Sequence, residues 1–323
     1  MLKVAMISRW HVHAKGYAKE LASTPGCQVA GVWDADPQVR REWAEELGCR
    51  AYESYENVLA DPQIGGVAIC TSTDQHPDVI IRACDAGKAV FTEKVLALTT
   101  ADALRIRDAV LRNHTRFVIS FPHKCNPAIL RAKELVDAGE LGQITYARVR
   151  NVHNGSIADW LPPHFYDRAL CGGGAMIDLG AHPMYTLCWL LGEPESVQST
   201  FTSFTHRPVE DNAVSVLRFP GGVIGVSETG FVSQNNPYTL EVSGTKGALM
   251  VHNTLQACCE ATGNEWKEIA DLPEKPDLPV RQWVKAVNDG VDLPEFGIDQ
   301  AVLLTRVMEA AYRPEAAQGA AVH

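Results

Sequence analysis

The feature that most constrains this chain is a rhythm. Over its first 121 residues, short apolar runs alternate with segments of helical period. Residues 3–8, 28–34, 66–70, 89–92 and 116–121 read as strands, and 13–21, 36–47, 77–86 and 100–112 as the helices between them. Asp36 followed by Pro37 marks the start of the second helix, because a carboxylate can cap the first turn and proline's missing N–H costs nothing at its first position. Strands separated by helices of this length join by right-handed crossovers into a parallel sheet. Helices on both faces also explain why each strand is apolar throughout rather than alternating. Residues 1–121 are therefore expected to form a doubly wound α/β domain of the kind that binds nucleotides.

After Pro122 the rhythm changes. A helix over 127–138 ends at Gly139 and a strand follows over 143–153. A loop rich in proline and aromatic residues then leads to Gly172-Gly173-Gly174 and an apolar helix reaching about Leu191. Strand-like runs at 196–204, 212–219, 223–231, 239–243 and 248–252 succeed one another, with turn signals such as Pro220-Gly221-Gly222 between them. That pattern predicts an α+β domain over 122–323 with a large, mainly antiparallel open sheet. Helices over 279–289 and 297–311 close the chain, the last expected to pack back on the first domain, and 318–323 read as a frayed tail. At 323 residues the chain is long enough for two cores.

Composition narrows the partners. A net charge of −10 gives no basic footprint for nucleic acid or an anionic membrane. No apolar run approaches the roughly 18 residues needed to span a bilayer, and the opening apolar stretch is too short for a secretory signal. The nine cysteines are an odd, scattered set with no C-x-x-C spacing, the usage of reduced thiols in a cytoplasmic protein.

In an open α/β sheet ligands bind beyond the carboxyl ends of the strands. Here those ends carry Ser8, Arg9, Trp10 and His11; Asp34; Thr71 and Ser72; Glu93 and Lys94; and Pro122, His123 and Lys124. Asp34 ends the second strand, where a carboxylate can accept both ribose hydroxyls and favours NAD over its 2′-phosphorylated form. The first loop, Ser8-Arg9-Trp10-His11-Val12-His13, has no glycine before Gly16, so side chains such as Arg9 and His11 are expected to meet the phosphates.

Glu93-Lys94-Val95 resembles the E-K-P signature of the Gfo/Idh/MocA oxidoreductases, and Gly172-Gly173-Gly174-Ala175-Met176-Ile177-Asp178-Leu179-Gly180-Ala181-His182 resembles their G-G-G-x-x-x-D-x-G-x-H signature. Val67–Ser72 with His76, and Ala86-Gly87-Lys88, are similar to the family's third-strand and helix pattern. The resemblance implies a Rossmann domain followed by an α/β domain, and a homodimer or homotetramer joined through its open sheet. It implies NAD(H)-dependent hydride transfer on a secondary alcohol or ketone of a sugar, sugar derivative or cyclitol. It also implies that Lys94, Asp178 and His182 form the reaction centre, with His76 near the nicotinamide half of the cofactor. Asp178 and His182 are four apart, which puts both on one face of a helix, and histidine exchanges protons near neutral pH. Lys94 can stabilise a developing alkoxide, and Asp178 can hold the imidazole or a substrate hydroxyl. Lys124, Asn126, His153, Trp160 and Tyr166 are candidate substrate contacts, and His164 shares their segment.

Two local departures carry structural expectations. Val95 replaces the signature proline, so the Lys94–Val95 bond is expected to be trans. Pro183 inside a continuous helix would leave the Leu179 carbonyl unpaired and kink it. Tyr185 stands where relatives often carry an acidic residue. Alternative readings are a redox-neutral, NAD-using sugar lyase or glycosidase, a metal-dependent lyase or isomerase drawing on Asp178, His182, His11, His13, His123 and His153, and a non-catalytic sensor. The histidine spacing matches no recognised ligand pattern, so no metal site is expected.

Overall fold

A computed structural model describes residues 1–234 and 238–313; the tail expected at 318–323 lies outside them. The chain divides into two compact units, one of Met1–Ser120 with Asp277–Thr305 and one of Phe121–Pro276 with Arg306 onward.

The first unit begins β1 (Leu2–Ile7), α1 (Ala14–Ala22), β2 (Cys27–Trp33), α2 (Pro37–Leu47), β3 (Arg50–Ala51), α3 (Tyr55–Ala60), β4 (Gly66–Ile69), α4 (His76–Asp85), β5 (Ala89–Thr92), α5 (Thr100–Arg112) and β6 (Phe117–Ile119). Its six strands are parallel in the order β3-β2-β1-β4-β5-β6. The order reverses between β1 and β4, which opens a crevice at their carboxyl ends. Asp36 caps α2 as expected, accepting from the N–H groups of Gln38 and Val39. β3 and α3 were not foreseen. Both are short, and α3 starts at a Ser54 cap that bonds the Asn57 N–H at 3.1 Å. A later helix, α10 (Pro279–Asp289), belongs to this unit. Its Trp283 is fully buried beside Phe91, ring centroids 5.9 Å apart.

The second unit contains α6 (Pro127–Asp137), β7 (Ile144–Val152), α7 (Arg168–Cys171), α8 (Ala175–Asp178), α9 (Ala181–Leu191), β8 (Ser196–Thr202), β9 (Asn212–Arg218), β10 (Ile224–Gly230), β11 (Thr239–Gly244), β12 (Ala248–Val251), β13 (Leu255–Cys258) and β14 (Lys267–Glu268). The last helix, α11 (Ile298–Ala311), crosses the boundary between the units. The sheet order is β14-β13-β12-β11-β7-β10-β9-β8, antiparallel throughout except for β7 beside β10. Strand β9 alternates strictly between exposed and buried residues, as one solvated face requires. Helix α9 covers β7 and β10 on the other face. Across the solvated face, Arg148 bonds both carboxylate oxygens of Glu228, at 2.7 and 2.8 Å, and reaches Glu241 at 3.0 Å. The parallel pair β7/β10 and its antiparallel neighbour β11 bring these groups together.

Candidate active site

In the first unit the missing glycines are replaced by a side-chain scaffold. Ser8 takes a left-handed backbone conformation, φ 65°, where a glycine is the usual solution. Its hydroxyl and the Arg9 N–H both donate to Asp34 Oδ2, at 3.1 and 2.8 Å, while the Asp36 N–H donates to Oδ1 at 3.0 Å. The His11 N–H reaches the Cys70 carbonyl at the end of β4, at 3.1 Å. Asp34 therefore anchors the loop, a role not read from the sequence. An ionised carboxylate has about four acceptor sites, so a further one on Oδ1 remains for a ribose hydroxyl. The Arg9 guanidinium lies 3.4 Å from Glu46 of α2. Trp10 follows it, half-buried, its N–H bonded to Ser8 Oγ at 3.1 Å. Thr71 and Ser72 are buried, and Thr71 Oγ1 meets no hydrogen-bond partner among the described residues. An orphaned hydroxyl in this crevice fits a bound dinucleotide.

Glu93 is the hub of the crevice. Oε1 lies 2.7 Å from His13 Nδ1 and 3.4 Å from His11 Nδ1, and it accepts a short hydrogen bond from the Tyr17 hydroxyl. Tyr17 is also 2.7 Å from Ser120 Oγ, and Oε2 accepts from the Lys94 N–H at 3.0 Å. Burial alone would raise the Glu93 pKa. His11, His13 and Lys94 outweigh it and hold the carboxyl well below its usual range. Burial and the neighbouring carboxylate push Tyr17 up, so its hydroxyl remains a donor. Lys94 itself is buried.

The expected trans bond after Lys94 is corrected: Lys94–Val95 is cis. The intrinsic preference of one peptide bond was the wrong guide in a segment fixed on all sides. Val95 is buried, Lys94 N–H is held by Glu93, and His76 Nδ1 faces the carbonyls of Val95 and Leu96 at 3.0 and 3.2 Å. Between two acceptors that nitrogen must carry the proton. His76 is thus a brace for the turn that bears Lys94, and burial lowers its pKa.

In the second unit the glycine-rich signature is pinned by residues distant in sequence. Glu210 Oε1 accepts from the N–H groups of Gly174 and Met176, at 2.9 and 3.0 Å. The Tyr312 hydroxyl accepts from the Ile177 N–H at 3.0 Å and donates to Glu210. A Cβ on Gly173 would stand 2.1 Å from the Tyr312 hydroxyl, and one on Gly174 the same distance from the Glu210 carbonyl. Glycine is required there by close approach.

The continuous helix expected through Pro183 is also corrected. It breaks at Leu179-Gly180, leaving Asp178 at the end of α8 and His182 in the first turn of α9. Pro183 sits in that first turn, where an N–H has no helical partner to lose. The Leu179 carbonyl is paired, accepting from the His182 N–H at 3.1 Å and from Asn151 Nδ2 at 3.3 Å. His182 is buried, with Nδ1 3.1 Å from the Tyr185 hydroxyl, which also accepts the His123 N–H at 3.1 Å. Tyr185 packs on Phe121, and His123 stacks on Tyr238 at 3.9 Å. Tyr185 therefore orients the imidazole, a role that its position in the signature did not disclose.

The remaining candidates divide by what they touch. Lys124 is buried, its ammonium 5.1 Å from the Trp189 ring. Asn126 caps α6 through the Ala128 N–H at 2.9 Å, which occupies its carbonyl oxygen. His153 stacks on Phe231 at 4.9 Å and lies beside Trp160, which is half exposed. Tyr166 is buried, 3.1 Å from Ser156 Oγ, with the Arg207 guanidinium over its ring.

Two profiles of one family match the chain: the oxidoreductase family NAD-binding Rossmann fold over residues 6–121, and the GFO/IDH/MocA C-terminal domain over 129–250. Levoglucosan dehydrogenase of Pseudarthrobacter phenanthrenivorans is 25% identical over 249 residues, 67% of this chain and 63% of that enzyme. The scyllo-inositol 2-dehydrogenase (NAD(+)) of Bacillus subtilis is 29% identical over 253 residues, 75% of this chain and 70% of that enzyme. A solved levoglucosan dehydrogenase in complex with NADH superposes with a TM-score of 0.89 at 20% identity, covering 100% of this chain and 99% of that one. The fold, the E-K and G-G-G segments and both profiles converge, and the chain belongs to the Gfo/Idh/MocA family of NAD-binding oxidoreductases.

Proposed function

We propose that this oxidoreductase moves a hydride between NAD(H) and a secondary alcohol or ketone carbon of a sugar or cyclitol. The observation that carries the reading is the pinned G-G-G segment, which delivers Asp178 and a Tyr185-oriented His182 on a rigid support. Relatives named as inositol and levoglucosan dehydrogenases support the substrate class. NAD, when bound, accepts the hydride in the oxidative direction. His182 takes the hydroxyl proton as the carbonyl forms. The Lys94 ammonium stabilises the negative charge that develops on that oxygen, and Asp178 positions the hydroxyl. Asp34 holds the adenosine ribose; Ser8, Trp10, His11, Thr71 and Ser72 line the cofactor's path. Lys124, His153, Trp160 and Tyr166 offer cationic and aromatic surface for a polyol, while Asn126 contributes through the α6 start it caps.

Nine free cysteines support a reducing, cytoplasmic setting, and among the described residues no helix is long and apolar enough to cross a membrane. A disulfide detected by mass in the native protein would argue against that setting. Val214, Val216 and Ile224 on the solvated sheet face are 40–45% exposed and support a homodimer or homotetramer through it; light scattering that returned a monomer would remove that part. The central test titrates NADH and NADPH by nucleotide fluorescence, then follows NAD reduction across a panel of sugars and inositols. His182→Ala should abolish turnover and leave the NADH Kd within about twofold. Unchanged turnover would end the assignment.

A further inference from the structure

His11, His13 and Glu93 bring two imidazole nitrogens and a carboxylate oxygen within 4.8 Å of one another. We propose that these three side chains bind one divalent first-row transition-metal ion, zinc being the reference case, at the carboxyl end of β1 and β5. His11 and His13 belong to the histidine grouping considered from the sequence, whose other members, Asp178, His182, His123 and His153, lie in the second unit; Glu93 was not part of it.

Three independent features carry the inference. The first is donor chemistry. Two imidazoles and one carboxylate form a ligand set that suits zinc and its neighbours and leaves positions open. The second is spacing. His11 Nδ1 lies 3.4 Å from Glu93 Oε1, about the separation of neighbouring ligands around a tetrahedral ion with ~2.1 Å bonds. His13 Nδ1 lies 2.7 Å from the same oxygen, so one carboxylate oxygen is shared by both imidazoles.

The third feature is the support behind the ligands. Glu93 is fixed by Tyr17, itself backed by Ser120, and by the Lys94 N–H. The rings of His11 and His13 lie 4.7 Å apart. Outer hydrogen bonds of this kind hold metal ligands in one orientation. His11 and Glu93 are buried, whereas the His13 side chain is half exposed and gives an ion its way in. The remaining positions of such an ion are available to water or to an oxygen of a bound molecule. The glycine-free loop therefore gains a function of its own, because the H-x-H that replaces the glycines supplies two of the three ligands.

The test uses the full chain, stripped with a chelator and dialysed. Cobalt(II) is titrated in while the visible d–d absorption is followed, and zinc stoichiometry is measured by equilibrium dialysis with elemental analysis. The expected result is one ion per chain with a Kd at or below about micromolar, and zinc displacing cobalt. His13→Ala, a change at a half-exposed side chain, should raise the Kd by about 100-fold while the far-ultraviolet circular dichroism of the metal-free protein stays that of the parent. His11→Ala should do the same to the metal and serves as the second arm. Failure to bind one ion saturably overturns the proposal. Binding that survives in both variants, or shows the thiolate charge-transfer bands of a cysteine site, overturns it as well. Nucleotide binding in the metal-free protein is measured alongside, so loss of the metal proposal leaves the NAD reading standing.

Discussion

Replacing Asp34 by asparagine separates two roles that one carboxylate holds together. In the native protein Oδ1 accepts the Asp36 N–H and Oδ2 accepts the Arg9 N–H and the Ser8 hydroxyl. An amide of the same shape must place its NH2 at one of those positions. At Oδ1 it faces the Asp36 N–H; at Oδ2 it faces the Arg9 N–H, though Ser8 can turn to accept. Either way one partly buried backbone donor loses its acceptor, which costs about 1–3 kcal/mol. Urea denaturation of D34N should therefore show a lower midpoint at an unchanged m-value. Cofactor affinity reads the second role. A charged hydrogen bond to the ribose contributes about 1.5–3 kcal/mol, so the NADH Kd should rise roughly 10- to 150-fold. NADPH loses the repulsion between its 2′-phosphate and the carboxylate, so the preference for NADH should narrow. Stability within about 0.5 kcal/mol of the parent would refute the anchoring argument. A lowered stability with an unchanged NADH-to-NADPH ratio would refute the ribose assignment instead.

Tyr185→Phe keeps the packing on Phe121 but removes the hydroxyl shared by His182 and His123. It should lower kcat by about 5-fold, the equivalent of ~1 kcal/mol, and displace the pH profile of kcat, with NADH affinity unchanged. An identical rate and profile would remove Tyr185 as the group that orients the imidazole. For His76, burial depresses the folded pKa below the 6.5 of a free histidine. Its stabilising contribution is therefore complete above about pH 6.5 and is lost as pH falls through the depressed value. Urea midpoints measured from about pH 8 to about pH 5 should fall, and His76→Gln should flatten the slope; equal slopes would show that acid sensitivity arises elsewhere.

The architecture was legible wherever one local rule sufficed. Strand and helix positions in the first unit, the Asp36 cap and the boundaries of α10 all follow from apolar period and turn chemistry. Short elements were not legible: β3 has two residues, and β13 and β14 carry no repeat long enough to register. The parallel pairing of β7 with β10 depends on partners far apart in sequence, which a local pattern cannot encode. Two corrections share a cause. Val95 and Pro183 were read by their intrinsic preferences, while their neighbours decided the outcome. In the site, the residue types at strand ends and the G-G-G segment were visible. The connections were not, since Glu93 to His13 and Glu210 to Tyr312 are bonds between side chains 80 and 102 positions apart.

The Tyr312 hydroxyl fixes Ile177 from 135 residues further along the chain, and Trp283 completes the first unit from beyond the whole second sheet. On a ribosome adding about 5–20 residues each second, the signature segment emerges many seconds before the tyrosine that secures it. Each unit takes a buried or bonded group from the carboxyl-terminal segment of the chain, so a stop codon ahead of Tyr312 would forfeit the G-G-G geometry though every signature residue had been made.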